Sequence, residues 1–236
     1  MINIYNEDCL KVMDKLISED VQVDCICTDP PYLVTSRGNA GNSGGMLQKD
    51  IFNEGYVFSN NSCSINIWSK LVYKLLKDCG HAYIMTNHIN LQEYLNVLTT
   101  VGFHFIKCLI WDKGNKIMGQ YYMSQFEYIL FLRKGPGVKI NNCGTSDIIR
   151  VENKKHKYPD GKNWHDTEKP VKLMEVLISN STQENETVLD PFMGVGATGI
   201  ASKKLNRNFI GCEIDKEYFS ICEKRFKELD ERKSLF

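Results

Sequence analysis

Asp29 closes the apolar run Val23-Asp24-Cys25-Ile26-Cys27-Thr28 and is followed by Pro30, Pro31 and Tyr32. Two successive prolines fix φ and stiffen the chain, so the Asp29 carboxylate and the Pro30 carbonyl are held in one geometry. Both groups are hydrogen-bond acceptors only. Such a pair suits an exocyclic amine. Its two hydrogens can be gripped while its lone pair, otherwise delocalised into a ring, turns toward an electrophile. Tyr32 adds a flat face on which a base can stack. Taken without its neighbours the segment reads as a surface turn; strand, Asp, two prolines and an aromatic in succession favour chemistry.

A second segment, Val188-Leu189-Asp190-Pro191-Phe192-Met193-Gly194-Val195-Gly196-Ala197-Thr198-Gly199, reads as a strand, a glycine turn and the start of a helix. Glycines let the backbone approach a cofactor closely, and a helix N-terminus offers free N–H groups. Gly194, Gly196 and Gly199 satisfy G-x-G-x-x-G, and Glu213 follows Gly194 by 19 positions, near the ~20 expected for a carboxylate on an adenosine ribose. On these residues alone a nicotinamide dinucleotide protein, an oxidoreductase using NAD, competes. Against it, Asp190 puts a carboxylate where a pyrophosphate would have to come close, and suits a cationic ligand.

The elements that must position these turns alternate along the chain. Apolar runs predict strands over 3–5, 21–27, 81–85, 103–111, 126–132, 187–189 and 208–212, and helical spacing predicts helices over 9–17, 65–76, 91–101, 171–180, 197–205 and 217–229. Such alternation is the signature of a parallel sheet with crossover helices, in which ligands bind beyond the carboxyl ends of strands. Two stretches fall outside it. Residues 33–62 hold SRGNAGNSGG and read as a mobile loop; residues 135–166 begin Gly-Pro-Gly and read as a second long loop.

With 236 residues and 42% hydrophobic content, the chain predicts one domain with its own core and excludes a disordered chain. Its 29 basic and 29 acidic side chains cancel, and that neutrality argues against a polyanion partner until the charges are placed. Residues 1–132 carry 10 basic and 13 acidic groups, 133–172 carry 10 and 5, and 173–236 carry 9 and 11. The middle block includes Lys154, Lys155, His156 and Lys157 beside Tyr158 and Trp164, a mixture suited to phosphate and base contacts. No window reads as a membrane span or a signal peptide, which predicts a cytoplasmic protein. Nine cysteines without a C-x-x-C pair predict reduced core thiols, and five histidines without ligand spacing predict no metal.

Asp29-Pro30-Pro31-Tyr32 together with Asp190-Pro191-Phe192-x-Gly194-x-Gly196 resembles the amino-group DNA methyltransferases that use S-adenosylmethionine. The order resembles their beta class: catalytic motif first, target-recognition region in the middle, glycine motif last. His165-Asp166-Thr167-Glu168-Lys169-Pro170 joins the two, and the match runs from Asn3 to Phe226. The resemblance implies a single Rossmann-like methyltransferase domain over 1–236. Its sheet would be mostly parallel and seven-stranded, with helices on both faces and a circularly permuted motif order. Ala197 before Thr198 departs from the usual pattern by one small residue.

Carried over position by position, the resemblance makes Asp29, Pro30, Pro31 and Tyr32 catalytic. Asp190, Phe192, Gly194, Gly196 and Thr198 would surround the methionine part of the cofactor. Glu213 would accept from its ribose hydroxyls, Asp8 and Cys9 would meet its adenine, and Thr167, Lys169 and Pro170 would hold its methionine end, with Lys169 opposite the carboxylate. Asp8 and Thr167 could instead cap helices.

The implied reaction moves a methyl group to the exocyclic amine of a base in DNA, flipped out at a cost of roughly a few kcal/mol. Asp at the first motif position favours N6 of adenine over N4 of cytosine, where Ser is commoner; RNA or protein-glutamine methyltransferases usually carry Asn there. Residues 33–62 are the candidate lid over the flipped base, and 133–166 the candidate target-recognition insert. Arg133, Lys154, Lys155 and Lys157 would meet DNA phosphates. A homodimer and a companion restriction enzyme are further candidate partners.

Overall fold

The computed structural model describes residues 1–31, 63–117, 122–153 and 168–233. Strands β1 (Ile2–Tyr5), β2 (Val23–Thr28), β3 (Leu76–Thr86), β4 (His104–Ile117), β5 (Ser124–Arg133), β6 (Ile148–Arg150), β7 (Thr187–Asp190) and β8 (Asn208–Cys212) form one sheet in the order β1-β8-β7-β2-β3-β5-β4-β6. Only the β3/β5 and β4/β5 pairings are antiparallel. The helices are α1 (Cys9–Ser18), α2 (Ile65–Leu75), α3 (Leu91–Val101), α4 (Val171–Ser181), α5 (Ala197–Lys204) and α6 (Lys216–Lys233).

Helices cover both faces because the central strands bury both sides. In β3, Ala82 and Ile84 join one core cluster while Tyr83 and Met85 join the other; in β5, Leu130 and Leu132 part in the same way from Ile129 and Phe131. The first cluster takes Val12 and Met13 of α1, Trp68 and Val72 of α2, and Leu98 of α3. The second takes Met174 and Leu177 of α4, Ile200 of α5 and Phe226 of α6. Each fully buried large side chain contributes roughly 1.5–3 kcal/mol relative to exposure.

Among the described residues the sheet has eight strands, one more than expected. The additional strand, β6, lies within the stretch read as a loop and pairs in parallel with the outer edge of β4, Arg150 facing Asp112. Three residues are too few to show a period, and two of them are exposed, so no apolar alternation announces the strand. β4 also runs past Trp111, where its apolar pattern stops, to Ile117. The ladder to β5 satisfies its backbone there, with a register shift between Asp112 and Ile117. The expected lid over 33–62 lies outside the described residues.

Candidate active site

The strand order reverses between β7 and β2. From β7 the chain crosses through α5 to β8 on one side, whereas from β2 it passes to α2 and β3 on the other. The carboxyl ends of these two neighbouring parallel strands are therefore the switch point of the sheet, which is where open α/β sheets bind ligands. Asp29 and Asp190 stand at that point. They are bridged by Thr28, whose Oγ1 donates to Asp190 Oδ1 at 2.7 Å.

Asp190 is buried and its oxygens serve the protein. Besides Thr28, the Phe192 N–H donates to Oδ1 at 3.1 Å and Thr198 Oγ1 donates to Oδ2 at 2.6 Å. One carboxylate thus ties β2, the glycine turn and α5 together. Burial raises its pKa to about 6, the three donors opposing that rise. The expectation that Asp190 faces a cationic ligand is corrected: its geometry is that of a turn-former.

Gly194 and Gly196 have φ of 52° and 83°, a region costly for residues with a Cβ. At Gly196 a Cβ would also lie 2.4 Å from Cys222 Sγ, so α6 presses on the turn. Arg225 of α6 donates to the Val195 carbonyl at 2.7 Å and pairs with Glu168 Oε1 at 3.0 Å, both side chains buried. That brace, joining the turn to the segment before α4, was not anticipated. Arg225 sits among ordinary helix-surface charges, and only its burial sets it apart.

Glu213 follows β8 and fits the expected place beside the glycine turn. Its Oε2 accepts the Gly194 N–H at 2.9 Å and its Oε1 the Asp215 N–H at 2.8 Å. Each oxygen keeps a further lone pair, so the two acceptors suit vicinal hydroxyls such as those of a ribose. Asp8 caps α1, its Oδ1 accepting from the Leu10 N–H at 2.8 Å. Cys9 turns its thiol into the core, 4.0 Å from Cys63 Sγ. Phe192 packs edge-on against the buried Trp68, centroids 5.7 Å apart. Pro170 stands at the N-cap of α4, where its carbonyl accepts the Leu173 N–H at 3.0 Å. Thr167 lies outside the described residues, as does Tyr32.

Asp29 differs from Asp190. A fifth of its side chain is exposed, and its Oδ2 is paired with the Lys169 ammonium. Its buried Oδ1 has no hydrogen-bond partner among the described residues. Lys169, expected to face a ligand carboxylate, instead faces the protein's own: besides Asp29 it lies 3.5 Å from Glu127 Oε2. The cause is topological. Lys169 immediately precedes α4, which packs over β2 and β3, and the ammonium reaches across to the carboxyl end of the sheet. Lys113 Nζ completes the cluster, 2.5 Å from Glu127 Oε1. Neither Glu127 nor Lys113 was anticipated; a charged residue inside the apolar run of β5, Phe126-Glu127-Tyr128-Ile129, was the available signal.

Arg133, expected to meet a phosphate, lies away from Asp29. β5 runs antiparallel to β3, so Arg133 pairs with His81, where the β3/β5 ladder starts along β3, opposite the end that carries Asp29. The neighbouring Lys134 donates to the carbonyls of Tyr73 and Leu76 at 3.0 and 2.7 Å and so caps α2. Lys154, Lys155 and Lys157 lie outside the described residues. Arg150, not anticipated, is an exposed basic residue of this block at the Asp29 end, 3.8 Å from Asp112 Oδ2.

The sequence profile of the N6/N4 DNA methylase family matches residues 23–224. A type II methyltransferase of Moraxella bovis, M2.MboI, is 30% identical over 96% of this chain and 88% of its own. A crystal structure of M1.HpyAVI complexed with SAM superposes with a TM-score of 0.72 at 29% identity, covering 95% of this chain and all of that one. The cytosine-N4-specific PvuII DNA methyltransferase has a TM-score of 0.73 at 18% identity over 95% of this chain and 86% of its own, a likeness of fold. With a family profile spanning most of its length and a relative at that identity, the chain belongs to the N6/N4 family of DNA methylases.

Proposed function

We propose that the chain methylates N6 of adenine in DNA, with Asp29 and Pro30 gripping the amine. The cofactor of the family is S-adenosylmethionine, which when bound supplies an electrophilic methyl group on a sulfonium. The observation that carries the reading is Asp29 Oδ1, which has no donor among the described residues: a buried carboxylate oxygen so left costs about 1–3 kcal/mol or more, and an incoming amine removes that cost. The Pro30 carbonyl takes the second N–H. With both hydrogens held in place, the nitrogen lone pair is turned out of conjugation, and positioning supplies most of the rate. Asp29 can then receive the proton that the alkylated nitrogen sheds. Tyr32 stacks on the base, and 33–62 cover it.

Glu213 holds the ribose hydroxyls in this reading, and Phe192 and the turn from Gly194 to Thr198 shape the rest of the pocket. Asp8 has its second oxygen for the adenine amine. The homodimer and the companion restriction enzyme belong to the same proposal. No helix among the described residues is long and apolar enough to cross a membrane, in keeping with a cytoplasmic enzyme. The test is transfer of a tritiated methyl group to DNA of varied sequence, then nucleoside analysis. Label in N6-methyladenine is expected; label in N4-methylcytosine instead would overturn the choice of adenine.

A further inference from the structure

Behind the amine-binding turn lies a cluster of four charged side chains, Asp29, Lys169, Glu127 and Lys113, of which only Asp29 has a part in the reaction described above. We propose that Glu127 and Lys113 are positioning residues: they divide the Lys169 ammonium between two carboxylates, and so set how freely Asp29 receives the target amine. The inference deepens, and rests on, the reading of Asp29 as the amine acceptor.

The geometry is a chain of alternating charges. Lys113 Nζ is 2.5 Å from Glu127 Oε1; Glu127 Oε2 is 3.5 Å from Lys169 Nζ; Lys169 pairs with Asp29 Oδ2. Two cations and two anions cancel, which lets both lysines be buried against carboxylates that are themselves mostly covered. Trp111, the cross-strand partner of Glu127, floors the cluster, its ring centroid 5.3 Å from Lys113 Nζ and 6.0 Å from Lys169 Nζ. A cation over an indole face is attracted to it, and the ring keeps water from that side.

Two features separate this from an ordinary buried ion pair. Lys169 is shared, and Glu127 Oε2 makes no hydrogen bond among the described residues, so the carboxylate attracts the ammonium without fully capturing it. A Lys169 bound to Asp29 alone would satisfy that carboxylate and weaken its claim on an amine. One captured by Glu127 would leave Asp29 to protonate. Lys113, by occupying Glu127 Oε1, holds the division between these extremes.

The titration of the two carboxylates agrees. Burial raises the pKa of Asp29, Lys169 only partly offsetting it and Glu127 adding to it. Burial acts on Glu127 in the same sense, but Lys169 and Lys113 reverse it and hold that group below the usual carboxylate range. The remaining titratable groups that face Asp29 among the described residues are Asp190 from β7 and Tyr94 from α3.

The test is the pH profile of single-turnover methyl transfer to DNA by the full chain. Glu127→Gln frees Lys169 for Asp29: the acidic limb is expected about one unit lower, and the plateau rate about tenfold down. Lys113→Met does the opposite, letting Glu127 draw Lys169 away, and moves the limb up. A merely structural role would lower rate or stability in both variants without limbs moving in opposite directions. Profiles that keep the wild-type limb, or that shift in the same direction, would overturn the inference. If Glu127→Gln does not fold, as judged by thermal melting, the upward shift in Lys113→Met decides alone. Asp29→Ala separates the failures: activity retained there overturns the catalytic reading itself, whereas activity lost with unmoved limbs overturns only the role of Glu127 and Lys113.

Discussion

The chain places the dipeptide Asp-Pro twice, at the ends of two adjacent parallel strands, and the two aspartates have opposite fates. Asp190 is saturated: Thr28, Phe192 and Thr198 occupy its oxygens, and it anchors the glycine turn. Asp29, a few ångströms of backbone away in the fold, has one oxygen on Lys169 and one with no donor among the described residues. Burial raises the pKa of both. What sets Asp29, the proposed working carboxylate, apart from Asp190 is therefore not the local sequence but that a fifth of its side chain stays exposed and the protein leaves its hydrogen bonds incomplete among the described residues.

Asparagine gives the sharpest contrast between the two positions. At 29 an amide must face both the Lys169 ammonium and the target amine, and its one oxygen can serve only one of them while its NH2 opposes the other. Asp29→Asn is therefore expected to lower the rate of methyl transfer by roughly 10²–10³-fold, with little change in Tm, as read by single-turnover kinetics and calorimetry. A variant within tenfold of wild type would erase the distinction between the two turns.

At 190 the same replacement is tolerated better than truncation. An amide oxygen can still take Thr28 and Phe192, and its NH2 can donate to Thr198, whose hydroxyl is free to turn toward the Cys27 carbonyl 3.5 Å away. Asp190→Ala strands all three donors. It is expected to cost about 2–4 kcal/mol and to lower Tm by roughly 5–15 °C, with Asp190→Asn recovering most of that loss. Equal losses in the two variants would mean that charge, not hydrogen bonding, is what the site requires.

A smaller effect follows from protonation. The pKa of Asp190 is about 6 in the folded protein against 3.8 in the unfolded chain. The folded state thus binds more protons between those values, and stability falls as pH rises through that window. Denaturant titrations from pH 4 to pH 7 should show a shallower fall in Asp190→Asn. Asp29 and Glu213, which burial also raises, add to the fall, whereas His81, lowered by burial, and Glu127, lowered by Lys169 and Lys113, act against it.

Much of this arrangement was legible in the residue order. Asp29, Asp190 and Glu213 follow apolar runs, and an open parallel sheet sends such positions to one end, which is why their convergence could be foreseen. What Asp190 does there could not be, because Thr28 and Thr198 lie far from each other along the chain and meet only through the β2/β7 pairing and α5. Glu127 and Lys113 were missed for a related reason: a charge inside a strand usually signals an exposed face, and only Lys169, brought in by α4, turns it into a buried partner. That Arg133 lies away from Asp29 was not legible, because strand direction, not composition, decides which end of the sheet a residue occupies.

The contrast between the two turns presupposes that DNA approaches the end of the sheet where Asp29 has its open oxygen, and two arginines test that. Arg150 lies at that end on β6, its side chain largely exposed, and its pairing to Asp112 at 3.8 Å is loose enough to give way to a phosphate. Arg133 lies at the opposite end of the sheet, across from His81. If Arg150 meets one phosphate, Arg150→Ala should weaken DNA binding several-fold and reduce the slope of log affinity against log salt by about 0.9. Arg133→Ala should leave both unchanged, since a cation on the far side of a domain is screened beyond the Debye length of about 8 Å at physiological salt. Fluorescence anisotropy with one labelled duplex across a salt series reads both variants. A loss at Arg133 equal to that at Arg150 would place DNA on both ends of the sheet, and the unpartnered oxygen of Asp29 would then no longer mark the face that DNA approaches.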